Sequence, residues 1–368
     1  LLPPPVTSSL SSLTLKKDFS DLRRKDATST IEDPMADIII QAMKRSRSGG
    51  LLVEGTSGST GIALANLSAS RGHACLVVLP DDQALEKQNI LKALGAVVYV
   101  VPTAAISNPN HYVNVARRLA EQARSQFDIP AAFMNQFENQ ANFYMHYHVT
   151  GPELYEQFQK QPSSPKQQQQ QQQHHLDAFV MSAGTGGTIS GIAKYLKEQS
   201  STSAKHQHDC RIVLVDPPGS SLFHKIKHGV AFAPQQREQL LKRHRYDTIA
   251  EGIGLDRVTH NLSMGLNCIN DAIQVSDQEA IDMAHYILQL EGLWIGSSSA
   301  MNLVGAVRTA LDLKEGANVI TVICDSGSRH VTRMWNREFV LDWGLTWPGD
   351  NEGGTIPDCL RRIYESVV

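Results

Sequence analysis

The sequence predicts an α/β protein of two domains, each built on a parallel or mixed sheet flanked by helices. Three observations predict it. Short apolar runs of strand length alternate with helical patterns, which is the signature of βαβ units. The alternation comes in two sets, separated by a polar, glutamine-rich stretch at 161–175. In each set one apolar run ends in a glycine-rich loop that opens a helix.

The first set begins with a helix over Met35–Ser46, where Ile38, Ile39, Ile40 and Met43 cluster on one side. Leu51–Glu54 reads as a strand and Gly61–Ser70 as the helix after its loop. Cys75–Leu79 is a strand stopped by Pro80, and Gln83–Leu94 a helix closed by Gly95, a residue suited to the left-handed terminator position. Val97–Val101 is a strand and His111–Arg124 a helix. The second set starts near Gly151, with strands at Asp177–Ser182, Arg211–Asp216 and Val319–Cys324. Its helices are Ile189–Lys197, Asp277–Leu290 and Ala300–Leu313. The expected division is a smaller domain over 31–150 and a larger one over 151–345, followed by a tail at 346–368. Seven consecutive glutamines and the pair His174 and His175 mark 161–175 as a solvated loop insertion. Two adjacent histidines without further ligands are a poor metal site.

Hydrophobic residues are 41% and charged residues 19% of the 368, the balance of a folded globular chain. A net charge of −3 argues against nucleic acid or an anionic membrane surface as the main partner. No apolar run approaches the ~18 residues of a spanning helix. Cys75, Cys210, Cys268, Cys324 and Cys359 are scattered and odd in number, which fits neither a zinc site nor a disulfide framework. The first residue, Leu1, reads as the start of a fragment, a processed form or an incomplete gene model. Residues 1–30 are rich in Ser, Thr, Pro, Lys and Arg, and are expected to be disordered or aberrant. A mitochondrial presequence has a similar composition, but Asp18, Asp21 and Asp26 argue against one.

The strongest chemical signals are the two loops. The first runs Glu54-Gly55-Thr56-Ser57-Gly58-Ser59-Thr60-Gly61, the second Ser182-Ala183-Gly184-Thr185-Gly186-Gly187-Thr188. Such a turn presents backbone N–H groups at a helix N-terminus, where the dipole favours an anion. Both lie at carboxyl ends of strands, where open α/β sheets place ligands. Two anion cradles would suit a cofactor phosphate and a substrate carboxylate, and each loop alone could also be a tight structural turn. Neither carries the Gly-Lys-Ser/Thr of a nucleotide triphosphatase. A dinucleotide fingerprint would need a small residue where Ile189 stands, although Asp216 ends the next strand as a ribose-binding acid would.

These residues resemble the fold-type-II pyridoxal 5'-phosphate (PLP) enzymes, related in fold to the tryptophan synthase β subunit, and within them the cysteine synthases and cystathionine β-synthases. The resemblance rests on Glu54–Gly61, Leu79–Asp82, Asn135–Asn142 leading to Thr150–Glu153, Gly184–Thr188, Glu251–Gly254, Gly296–Ser299 and Asp325–His330, in the family's order. The Ser59 form of the first loop looks most like a fungal cysteine-synthase-like subgroup. The resemblance implies a PLP cofactor, a small amino-acid substrate and a homodimer. It implies that Gly184, Thr185, Gly186, Gly187 and Thr188 hold the cofactor phosphate and that Ser298 faces the pyridine nitrogen. Thr56, Ser57, Gly58, Ser59 and Thr60 would bind the substrate carboxylate together with Gln136. Ser59 stands where many members have an asparagine that contacts the cofactor, and reaches less far. On the residues alone, Ser297–Ser299 also read as a cap for the helix near Ala300, and Gln136 as an ordinary loop residue. The implied activity is β-replacement on an activated serine, O-acetylserine with sulfide.

One position breaks the pattern. The family forms an imine through a lysine in Gly-Gly-Ser-x-Lys-Asp-Arg, and the same amine moves the α-proton. The matching stretch here reads Thr30-Ile31-Glu32-Asp33-Pro34, with Glu32 at the lysine position. Three explanations stand open: a gene model that replaced the true N-terminus, a non-catalytic homologue that binds a ligand or partner, or a lysine supplied by Lys25 from a charge cluster.

Overall fold

The computed structural model describes residues 33–161, 175–202, 209–232 and 248–348, with Pro357, Leu360 and Arg361 beyond them. Lys25, Glu32 and the rest of the N-terminal segment, the glutamine run with His174, Cys359 and most of the tail lie outside the described residues.

The element order is α1 (Pro34–Met43), β1 (Leu51–Gly55), α2 (Ser59–Arg71), β2 (Ala74–Pro80), α3 (Leu85–Ala93), β3 (Val97–Val101), α4 (Tyr112–Ser125) and β4 (Ala131–Phe133). A helix α5 (Ala141–Met145) runs through a π-turn (His146–Thr150) into α6 (Gly151–Lys160). Then come β5 (Ala178–Ser182), α7 (Gly187–Thr202), β6 (Arg211–Asp216), α8 (Leu222–His228), α9 (His260–Ser263) and β7 (Asp271–Gln274). The chain continues with α10 (Asp277–Glu291), α11 (Ser297–Leu311), β8 (Val319–Thr321) and α12 (Arg337–Asp342).

These strands make two four-stranded sheets, in the orders β3-β2-β1-β4 and β7-β6-β5-β8. Every named pairing is parallel, so the allowance for a mixed sheet is not needed. Parallel strands bury both faces and read as continuous apolar runs, as Ala74–Pro80 and Ala178–Ser182 do, buried throughout. Alternation across the pleat divides each sheet between two cores. In β2, Leu76 and Val78 face one cluster with Ile39 and Leu119, while Val77 and Leu79 face another with Ile62 and Leu91. In the second sheet, Val180, Val213 and Val215 pack against α10 and α11 residues such as Ile281 and Val304. On its other face Phe179, Met181 and Leu214 meet Ile189 and Ile192 of α7.

Capping chemistry sets several helix starts. Asp33 accepts the Met35 N–H at the head of α1, with Pro34 in the first turn. Ser276 and Glu279 form a reciprocal capping box at α10. Gly95 takes φ +86 just past α3, as its sequence position predicts. Where sequence and structure differ, strand length explains it. β4 and β7 hold three and four residues, too short to register as apolar runs, and β7 is also polar at both ends. The run at Val319 pairs only as far as Thr321 and then leaves the sheet as a loop. His175 pairs with Asp177 at 2.8 Å, and among the described residues no group of three or more side chains could hold a metal ion. None of the described helices is long and apolar enough to cross a membrane.

Helix α11 lies so close to the second sheet that a Cβ at Gly305 would overlap the Val215 side chain. Gly305→Ala is therefore expected to lower stability by about 1–3 kcal/mol through overpacking, read as a lower urea midpoint at unchanged slope.

Candidate functional site

The sheet orders decide where a ligand can sit. In the first sheet the chain leaves β1 for β2 and β3 on one side, then returns to β4 on the other. In the second it leaves β5 for β6 and β7, then returns to β8. Each sheet thus has a switch point at the carboxyl ends of β1 and β4, or of β5 and β8, where diverging loops leave a crevice. The first glycine loop leaves β1 and Gln136 follows β4. The second leaves β5, and Cys324 and Asp325 follow β8. Both crevices open on one cleft of about 710 Å³, lined by Ser57, Ser59, Thr60 and Gln136 from one side and Gly184–Gly186 and Thr188 from the other.

The first loop is held from within. Thr56 is buried and its hydroxyl accepts the Gly58 N–H at 3.0 Å. Gly58 itself has φ +126, a conformation closed to side-chain-bearing residues. Thr60 donates to Gln136 Oε1 at 2.6 Å, and Gln136 Nε2 donates to the Gly55 carbonyl at 2.8 Å. Gln136 is therefore tied to the loop from the neighbouring strand and is no free-standing polar loop residue. Beneath it Glu54 is fully buried. Burial pushes its carboxyl up to about 8, although backbone N–H groups of Gln136, Asn135 and Gly55 pull the other way. The side chain is thus a neutral acid at neutral pH, and it braces the segment that carries Gln136.

The second loop is narrow because two neighbours leave no space for a side chain. A Cβ at Gly184 would overlap the Gly252 carbonyl oxygen, and one at Gly187 would overlap the Asn142 side chain. Asn142 donates to Thr185 Oγ1 at 2.8 Å and to the Gln136 carbonyl at 3.1 Å, so one amide ties the two loop systems together. Thr259 donates to the Thr185 carbonyl at 2.6 Å. Thr188 Oγ1 lies 3.0 Å from His146 Nε2, whose ring Nδ1 lies 3.0 Å from Thr150 Oγ1. Burial lowers the His146 pKa, so the ring is neutral and fixes the Thr188 hydroxyl without adding charge.

The serine run at the head of α11 divides its work. Ser297 Oγ accepts the Glu251 N–H at 3.2 Å and Ser299 Oγ accepts the Cys324 N–H at 2.8 Å, each fastening a loop of the cleft. Ser298 lines the cleft. The helix has no side-chain cap bond, its N-cap being Gly296, so these serines do not cap it. Asp216, the candidate ribose-binding acid, is fully buried and accepts the Phe223 N–H at 2.8 Å, so it faces α8. Burial raises its carboxyl to about 7, although bonds from Phe223, Ser220 and Leu222 lower it.

The family model for pyridoxal-phosphate dependent enzymes matches residues 21–325 of this chain. The chain belongs to that family. It is 43% identical over 299 residues to cysteine synthase 2 of Neurospora crassa, covering 81% of this chain and 61% of that protein. It is 41% identical over 317 residues to cysteine synthase 2 of Schizosaccharomyces pombe, covering 83% of this chain and 75% of the relative. The chain thus spans about three fifths of the Neurospora relative's length. The crystal structure of O-ureido-L-serine synthase superposes with a TM-score of 0.60 at 23% identity, over 87% of this chain and 84% of that one. That likeness is one of fold.

Membership implies pyridoxal 5'-phosphate, and the second loop fits its phosphate. The loop is too narrow for any side chain at Gly184 or Gly187, it carries two oriented hydroxyls, and it opens α7 at Gly187. Among the described residues that line the cleft, none is a lysine. Sequence reasoning missed Asn142, His146 and Glu54 as parts of the site. Asn142 lay inside a quoted motif without a role, and the histidine gave no signal because its π-turn has no sequence period.

The Glu54 carboxyl yields a pH test. Its native pKa of about 8 stands above the unfolded value of 4.5, so the native state binds the extra proton between them. Stability should then fall as pH rises from about 4.5 through 8. Glu54→Gln should remove that slope, gaining on the parent as pH rises, in urea unfolding at about pH 6 and about pH 9. A constant difference between the two proteins would contradict a neutral Glu54.

Proposed function

We propose that the cleft serves PLP-dependent β-replacement on an activated serine, O-acetylserine with sulfide, in cysteine biosynthesis. The observation that carries this reading is the pair of glycine-rich loops at facing switch points, one suited to a phosphate and one to a carboxylate. The cysteine synthases named above support the substrate class. Bound PLP supplies an electron sink that lets the β-substituent leave and a nucleophile replace it.

The chain's own residues divide the remaining work. Gly184–Thr188 would hold the phosphate with loop N–H groups, the α7 dipole and the Thr185 and Thr188 hydroxyls. Ser298 would meet the pyridine nitrogen with a neutral hydroxyl, leaving it without a charged partner. Thr56–Thr60 would bind the substrate carboxylate, mainly through loop N–H groups and the hydroxyls of half-buried Ser57 and exposed Ser59. The Thr56 hydroxyl is spent inside the loop, so its part is to shape the cradle. Gln136 would add its amide and keep Thr60 oriented. The Ser59 hydroxyl would replace the longer asparagine of many members. A homodimer is proposed from the family.

Glu32 favours a second reading for this chain as sequenced. A carboxylate forms no imine with an aldehyde, and loss of the lysine also removes the group that would move the α-proton. General-base loss alone commonly costs about 10²–10⁴-fold. On this reading the chain binds PLP by its phosphate, without a covalent link, and acts as a ligand-binding homologue.

Borohydride reduction of the PLP-loaded chain, followed by peptide mapping, is expected to find no phosphopyridoxyl group on any lysine, and PLP should dialyse away before reduction. A label on Lys25 or another lysine would overturn the non-covalent reading. The loaded chain should bind O-acetylserine. Selective use of a hydroxy acid with NAD would instead overturn the proposed chemistry.

A further inference from the structure

A buried cluster of charge stands between the two loops, outside the roles assigned above. Lys87 of α3 is 2% exposed and its ammonium lies 3.2 Å from Glu251 Oε2, itself on a buried side chain. His330 Nδ1 reaches the same oxygen at 2.7 Å, and His330 Nε2 lies 3.0 Å from Asp325 Oδ2. The other oxygen, Glu251 Oε1, accepts the Ala84 N–H at 2.8 Å, at the head of α3, with Arg333 Nε 3.8 Å away. Burial alone would raise the Glu251 pKa, but His330, Lys87 and Arg333 outweigh it and hold the carboxyl at about 2. Burial would lower that of His330, and its bonds to Asp325 and Glu251 reverse the sign. The cluster is enclosed, and one buried carboxylate gathers three basic side chains, an arrangement that can fix one geometry.

Its position is what matters. The Lys87 stem packs beneath the first loop, where a Cβ at Gly58 would sit 2.6 Å from Lys87 Cδ. Glu251 directly precedes Gly252, whose carbonyl closes on Gly184 of the second loop, and a Cβ at Gly252 would sit 3.5 Å from Ser57 Oγ. One end of the ion pair therefore underlies the first cradle and the other abuts the second. The ion pair also joins the two sheets, because α3 belongs to the first and Glu251 lies between β6 and β7 of the second.

We infer that Lys87 and Glu251 are positioning residues that set the distance between the two anion cradles, so that one ligand can engage both at once. The inference rests on the reading of these loops as phosphate and carboxylate cradles, and it adds the groups that hold them in register. It concerns a ligand carrying a phosphate at one end and an α-carboxylate at the other. A ligand that uses one cradle alone gains nothing from the register.

The test compares two probes on the full chain. Phosphopyridoxyl-L-serine, a stable reduced conjugate, carries both anions, while pyridoxal 5'-phosphate carries only the phosphate. The parent should bind the conjugate at least about tenfold more tightly, since the second cradle acts at high effective concentration. Lys87→Met, in which Glu251 keeps His330 and Arg333, should lose at least about tenfold for the conjugate and under about threefold for pyridoxal 5'-phosphate. Glu251→Gln keeps the volume and an acceptor for the Ala84 N–H, and should show the same split. It stands as the deciding variant if Lys87→Met does not fold. A purely structural role would weaken both probes alike, and that outcome, or no change for either, overturns the inference. A parent that binds both probes equally would overturn the two-cradle reading and this inference with it.

Discussion

The governing constraint is the burial of two parallel sheets on both faces. Helices cover the faces, so the backbone groups that remain available gather where the strands end. Each sheet then has one place where its loops diverge, beside the strand from which the chain turns first one way and then the other. The strand order is the same in both sheets. The two crevices therefore carry equivalent equipment, a glycine loop after the inner strand and a polar segment after its returning neighbour. Facing these crevices toward one another produces a cleft with a glycine-rich loop on each wall.

Neighbouring groups leave the two glycine loops no slack. Gly252 and Asn142 crowd the second loop, and the Lys87 stem crowds the first. Close packing at these points converts the identity of a few glycines into a backbone path that a phosphate or carboxylate can approach. Polar groups beneath the loops add rigidity at an electrostatic cost. Glu54 meets that cost by keeping its proton, while Glu251 meets it with three cationic partners. The same residue type is thus neutral under one loop and ionised beside the other, and the difference lies wholly in what surrounds it.

The parts of the fold legible in sequence were those that bury long apolar runs. β1, β2, β5 and β6 stood out because both faces of each are covered, and β3 because its five residues are an unbroken apolar run. β4 and β7 stayed hidden because three or four residues carry no period, and Asp271 and Gln274 make β7 polar at both ends. The two glycine loops were legible because strand, glycine turn and helix follow in order. The tie between Gln136 and Thr60 was not, since it joins segments 76 positions apart. Lys87 gave the opposite signal, because a helical lysine ordinarily lies at the surface. Its burial follows from a carboxylate more than 160 residues away in sequence, which no local pattern reports.

The sequence carries Glu32 where the family resemblance would put a lysine. If the cradles alone account for ligand retention, the phosphate must carry it. Equilibrium binding of pyridoxal 5'-phosphate and of pyridoxal, which lacks the phosphate, measures this directly when repeated on Gly184→Ala. The account predicts that the parent prefers the phosphate ester by at least about tenfold, and that Gly184→Ala, whose new methyl group meets the Gly252 carbonyl, abolishes the preference. Equal binding of the two compounds by the parent, or an unchanged preference in Gly184→Ala, would contradict it.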